Sequence, residues 1–146
     1  MLTDPIKSAY KGQCLCGAIK YAVDKIEPKM GHCHCSMCRK FHGAAFATFG
    51  EAKSANFHWL EGEKFIKTYL GTNGTKRKFC ENCGSSLIFV PSNDTGELVE
   101  FSLGTLDSKL ELKPDAHIFL DNSASWYNVT DNLPQYPQGR DTKNNE

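Results

Sequence analysis

Hydrophobic and polar residues alternate with period two along most of the chain, and no segment carries a long apolar stripe at helical spacing. The pattern therefore predicts short, half-buried strands rather than packed helices. They are expected at residues 18–23, 44–49, 55–60, 65–70, 76–79, 86–90, 98–103 and 116–120. Turn chemistry separates them: Asn73-Gly74, Asn82 with Gly84, and the polar run over 91–96. This spacing predicts antiparallel strands joined by hairpins, a mainly β fold, with a single helical turn just after Cys38. Pro134 and Pro137 interrupt the end of the chain, and the polar residues 138–146 are expected to be disordered.

Length and charge narrow the picture. A chain of 146 residues with 40% hydrophobic content supports one core and is too short for two. Lys+Arg and Asp+Glu balance at 17 each, so there is no long-range field to gather nucleic acid or an anionic membrane, and any anion site must be local. No stretch approaches the ~20 apolar residues of a membrane span, and the N-terminus lacks the apolar run of a signal peptide. A soluble cytoplasmic protein is expected, with small molecules rather than nucleic acid or membrane as its partners.

Seven cysteines are many for this length, and an odd number cannot all pair with one another. In a reducing compartment clustered thiols are more often metal ligands than disulfides. They fall into three groups: Cys14 and Cys16 in CLCG, Cys33, Cys35 and Cys38 in CHCSMC, and Cys80 and Cys83 in CENCG. In CENCG a tight turn aims two sulfurs at one point, and Gly84 can adopt the positive φ that brings backbone amides toward them. Cys14 and Cys16, two apart, leave the same face of a strand end, and Gly17 again follows. Together the two outer pairs complete a tetrahedral four-sulfur zinc site that contributes folding free energy to a small β domain; a redox dithiol is the weaker alternative.

The central triplet differs. Zinc with four protein ligands is sealed, whereas zinc with three keeps a position for water or substrate. Three thiolates make the ion electron-rich, a poor Lewis acid for splitting water but suited to a soft ligand. An incoming thiol held there would lose its proton and remain a nucleophilic sulfur at neutral pH. A histidine could instead close the site. His34 is disfavoured because adjacent residues on an extended strand face opposite ways; His42, four residues beyond Cys38, leaves that alternative open.

The segments CLCGAIKY, GHCHCSMCRKFHGAAF, KRKFCENCGSSL and DAHIFLDNSASWYNVTDNLPQYPQG, which together span about 11–139, resemble the glutathione-dependent formaldehyde-activating enzyme family, whose domain is shared with centromere protein V. The resemblance implies a β-tent, two small antiparallel sheets stapled by a structural zinc at Cys14, Cys16, Cys80 and Cys83. It implies a second, catalytic zinc at Cys33, Cys35 and Cys38, hence two zincs per chain. The organisation expected is an N-terminal tail over 1–10, one zinc-binding domain over 11–139 and a disordered tail over 140–146. The implied activity is that of a carbon–sulfur lyase or synthase forming or cleaving S-hydroxymethylglutathione, with glutathione or a similar thiol and formaldehyde or another small aldehyde as substrates. The competing class is a non-catalytic, zinc-stapled binding or chaperone-like module, because fold alone does not fix function. Methionine sulfoxide reduction is disfavoured, since no cysteine follows Cys83 to act as nucleophile.

Other residues add less. Arg39 and Lys40 follow the triplet directly and could receive a glutathione carboxylate, bidentately in the case of Arg39. The run Lys76-Arg77-Lys78 is weak evidence for phosphate contact. His117 and Trp126 lie in the last matching segment, where an aromatic wall over the metal is reasonable, but buried packing is the expected role of Trp126.

Overall fold

The computed structural model describes residues 9–142. The chain falls into two compact units that interleave along the sequence: one takes the chain up to Pro28 together with Gly50–Glu111, the other Lys29–Phe49 and the chain from Leu112 onward.

In the first unit, strands β1 (Tyr10–Gln13), β2 (Lys20–Val23) and β5 (Phe57–Glu61) form a three-stranded antiparallel sheet in the order β1-β2-β5. Its other layer orders the strands β9 (Leu98–Ser102), β8 (Ser86–Val90), β7 (Lys76–Cys80) and β6 (Ile66–Leu70). Aromatic rings fill the space between the layers: Tyr21 stacks on Phe57 with ring centroids 5.1 Å apart and meets Phe101 at 5.8 Å. Ile19, Val23, Leu87 and Phe101 are buried with them. Ala22 beside Tyr21 and Ile88 beside Leu87 are buried too, so burial in β2 and β8 is not confined to one face.

In the second unit, β3 (Gly31–Cys33) lies between β10 (Ala116–Ile118) and the start of β4 (Ala47–Lys53). It pairs antiparallel with β4 and parallel with β10, matching His32 to His117. Helix α1 (Ser36–His42) follows β3 directly. Cys35 caps it, the sulfur accepting the Cys38 amide, and Gly43 ends it in the left-handed region at φ 61°.

The fold is mainly β with two sheets, as expected, and most strands fall where the alternation puts them. Four features differ. Strands β1 and β3 are additional to those expected, since Lys11-Gly12 and the mixed GHC stretch carry no alternating apolar signal. The expected strand at 44–49 begins later and continues through Gly50, where an added Cβ would lie 2.6 Å from the Phe101 ring. The helical turn expected after Cys38 starts before it and contains it. The β10–β3 pair is parallel, where strands joined by hairpins would all be antiparallel. Of the polar end of the chain, Gln138 bonds to Asp121 and Arg140 to Asp115; residues 143–146, like 1–8, lie outside the described residues. No helix among the described residues is long and apolar enough to cross a membrane.

Candidate metal centres

Two turns of the first unit bring together the four outer cysteines. Cys14 and Cys16 sit in the turn between β1 and β2, not on a strand, closed by the Gly17 amide to the Cys14 carbonyl at 3.0 Å. Cys80 ends β7 and Cys83 follows in the turn to β8, closed by the Gly84 amide to the Cys80 carbonyl at 2.7 Å. Gly17 and Gly84 have φ of 79° and 78°, the conformation that only glycine adopts cheaply. The Leu15 amide donates to the Ser85 hydroxyl at 2.9 Å and ties the two turns together.

All four sulfurs lie within 4.8 Å of one another. The Cys14–Cys16 and Cys16–Cys80 sulfurs are 3.6 and 3.8 Å apart. Tetrahedral bonds of about 2.3 Å to zinc place sulfurs about 3.8 Å apart, so the donor set fits that ion. Burial pushes the Cys80 thiol up to about 11, against the amides of Cys83 and Asn82. Burial opposes ionisation of Cys83 as well, but the Ser85 hydroxyl and the Ser85 and Cys16 amides bring it down to about 6. One sulfur is thus poised as a thiolate while that of Cys80 resists, an imbalance that a divalent cation removes.

The sulfurs of Cys33, Cys35 and Cys38 in the second unit also lie within 4.8 Å of one another. Cys33 leaves the end of β3, Cys35 caps α1, and Cys38 sits one turn into the helix, its amide donating to the Cys35 sulfur at 3.2 Å. The Cys35 and Cys38 sulfurs, and burial after them, push the Cys33 thiol far up, so the three cannot ionise together without a cation to hold them. The set fits zinc with three protein donors.

Among the described residues no histidine nitrogen or carboxylate oxygen joins this group. The His34 ring is buried and turned to His117, with Nε2 2.7 Å from His117 Nδ1. His42 packs edge-on against Phe41 and Phe49. Burial first, then the His117 and His32 imidazoles and Arg39, hold His34 down to about 4, so it is neutral at physiological pH.

Around His34 stands a cluster that sequence reasoning reaches only in part. His117 Nε2 lies 3.0 and 3.2 Å from the two carboxylate oxygens of Asp131. His32 Nδ1 lies 2.7 Å from the Thr48 hydroxyl, and its ring is 4.7 Å from that of His117. Phe46 contacts all three imidazoles and Tyr127. Asp131, Thr48 and Phe46 have no local signal: Thr48 comes in through the pairing of β3 with β4, Phe46 just precedes that strand, and Asp131 is reached only through its bond to His117 on β10.

Arg39 Nε donates to the Asn122 carbonyl at 3.2 Å, and Lys40 is exposed on the last turn of α1. Trp126 is 69% exposed, which overturns its expected packing role; the last segment has no apolar layer over it there. The basic run is split by strand alternation. Arg77 is buried with its guanidinium 4.9 Å from the Phe89 ring, while Lys76 and Lys78 line a separate cleft of about 500 Å³ with Trp59 and Ile88.

Comparison with known proteins sets these groups in a family. Residues 9–122 match the model for the glutathione-dependent formaldehyde-activating enzyme. An uncharacterized lyase of Schizosaccharomyces pombe is 30% identical over 128 residues, covering 87% of this chain and 90% of that one. A Halomonas elongata protein whose name assigns it provisionally to glutathione-dependent formaldehyde activation is 31% identical over 127 residues, 82% of this chain and 80% of its own. A Rhodobacter sphaeroides protein of known crystal structure superposes with a TM-score of 0.57 at 25% identity, covering 69% of this chain and 91% of that one. With the model match extending over most of its length, and all seven cysteines inside the matched span, the chain belongs to the glutathione-dependent formaldehyde-activating enzyme family.

Proposed function

We propose that the chain is a carbon–sulfur lyase or synthase acting on the adduct of a small thiol, glutathione in the first instance, with formaldehyde or another small aldehyde. The observation that carries this reading is a donor set suited to a thiol site: three cysteine sulfurs gathered at Cys33, Cys35 and Cys38, with no histidine among the described residues to complete it. Zinc bound there would supply an open position in whose field a guest thiol loses its proton.

The chain's own residues do the rest. Cys33 and Cys38 are buried and Cys35 is partly exposed, so approach is from the Cys35 side. Arg39 is tethered through Nε to Asn122, which aims its terminal nitrogens as a fork for a carboxylate, and Lys40 offers a second cation one residue on. With the thiol so oriented, its sulfur adds to the carbonyl carbon: the C–S bond forms, the C=O π pair moves to oxygen, and oxygen takes up a proton in place of the one the thiol lost. The reverse sequence releases thiol and aldehyde. The outer set, Cys14, Cys16, Cys80 and Cys83, holds a structural zinc.

Thiols add to formaldehyde unaided, so the test is acceleration. Exchange between glutathione and ¹³C-formaldehyde, followed by NMR, should quicken with the protein and return to the background rate with Cys33→Ser. If Cys33→Ser left exchange, metal content and glutathione binding unchanged, the binding-module reading would replace this one.

A further inference from the structure

We propose that Asp131 and His117 are positioning residues for the three-cysteine centre, a hydrogen-bonded relay that locks His34 in one tautomer and so fixes the segment carrying Cys33 and Cys35. The proposal rests on the reading that this triplet holds a metal ion, and not on any particular thiol or aldehyde.

The argument starts from proton counting. An ionised carboxylate only accepts hydrogen bonds, and Asp131 receives two: from His117 Nε2 at 3.0 Å and from the Leu133 amide at 3.1 Å. Its bond to His117, opposed by burial and aided by the Leu133 amide, keeps its carboxyl below the ordinary carboxylate range. His117 Nε2 therefore carries a hydrogen. In the neutral ring, the form this proposal requires, that is its only hydrogen, so His117 Nδ1 is a bare acceptor. The 2.7 Å contact to His34 Nε2 is then a hydrogen bond only if His34 donates. Both rings are 1% exposed, and His32 and Phe46 pack against His117, leaving little room for either ring to turn.

His34 is flanked by Cys33 and Cys35 in the chain, and its amide donates to the Ile118 carbonyl at 2.9 Å. Its backbone is thus held by β10 and its ring by His117, also on β10. With both ends of one residue held, the cysteines on either side cannot twist independently, and the spacing of their sulfurs is set. This is how outer partners orient metal ligands elsewhere, except that here the oriented residue lies between the ligands instead of being one.

The first test needs no variant. In ¹⁵N-histidine-labelled, zinc-loaded protein, long-range ¹H–¹⁵N correlation spectra should show His117 and His34 both as neutral Nε2–H tautomers. A doubly protonated His117, or an Nδ1–H His34, overturns the proposal. The second test uses cobalt(II) as the probe, with Cys33→Ser as the reference for the four-cysteine set. Asp131→Ala should weaken cobalt binding at the triplet about 10–100-fold and shift its sulfur-to-cobalt absorption, leaving the four-cysteine signal unchanged. Asp131→Asn, whose amide oxygen still accepts from Nε2–H, should stay close to wild type. Wild-type behaviour of Asp131→Ala, or equal loss in both variants, overturns the proposal. Since neither measurement involves a thiol or an aldehyde, failure of the enzymatic reading and failure of the relay are told apart.

Discussion

The Tyr21 hydroxyl donates to the Thr105 hydroxyl at 2.8 Å. The direction is fixed because Thr105 commits its own proton to the Ser102 carbonyl at 2.7 Å. Ionising Tyr21 would therefore break this bond as well as strand a charge among Phe57, Trp59 and Phe101.

Burial is the main cause that pushes Tyr21 up from 10.0 to about 12. As pH rises past 10 the unfolded chain loses this proton while the folded chain keeps it, so stability falls with pH. The contribution is complete below pH 10 and lost as pH passes through about 12, roughly 2–3 kcal/mol in all. Denaturant unfolding across this range should show a steeper alkaline loss for wild type than for Tyr21→Phe, which should cost about 1 kcal/mol at neutral pH for the missing hydrogen bond.

Gly12 pairs across the β1–β2 ladder with Tyr21. A Cβ at Gly12 would run into the Tyr21 ring and lie 2.6 Å from the Thr105 carbonyl oxygen, which is backbone and cannot swing away. Gly12→Ala should destabilise by about 1–3 kcal/mol or more. Gly104→Ala, with nothing within 4 Å of its Cβ, should stay within about 0.5 kcal/mol of wild type by the same unfolding assay.

Cys80 is buried, and its sulfur and that of Cys16 belong to turns at distant points in the sequence. Cys80→Ser removes one donor of four and the cross-link they make, so a loss above about 4 kcal/mol is expected, with about one zinc fewer per chain by elemental analysis. A strong chelator should lower the melting temperature of wild type in the same direction and have less effect on the variant.

Cys38→Ser removes a donor from the triplet but keeps a side chain of similar size inside α1. Zinc content should fall by about one per chain with only a modest change in melting temperature, and added glutathione should no longer perturb the remaining metal. Elemental analysis and calorimetry with and without glutathione read both effects.

Much of this architecture is legible in the amino-acid sequence alone. Alternation of apolar and polar residues locates β5 to β9, and the spacing of the outer cysteines anticipates their convergence because tight turns with Gly17 and Gly84 leave sulfurs few directions. What escapes is non-local or off-pattern. Strand β3 is three residues long and takes its partner β10 from far along the chain, which no local period encodes. The start of α1 is hidden because a cysteine serves as its cap where serine, threonine, aspartate or asparagine is usual. Asp131 is an ordinary polar residue in sequence; only its bond to His117, which β10 sets beside β3, gives it a task.

The interleaving of the two units also orders events on the ribosome. The last of the four outer cysteines is synthesised well before β10, so that set is complete while the strand bearing Cys33 still lacks its parallel neighbour. A nascent chain can therefore acquire its staple first. The second centre gains its scaffold only once β10 has also emerged, so the two sites take shape in a set order.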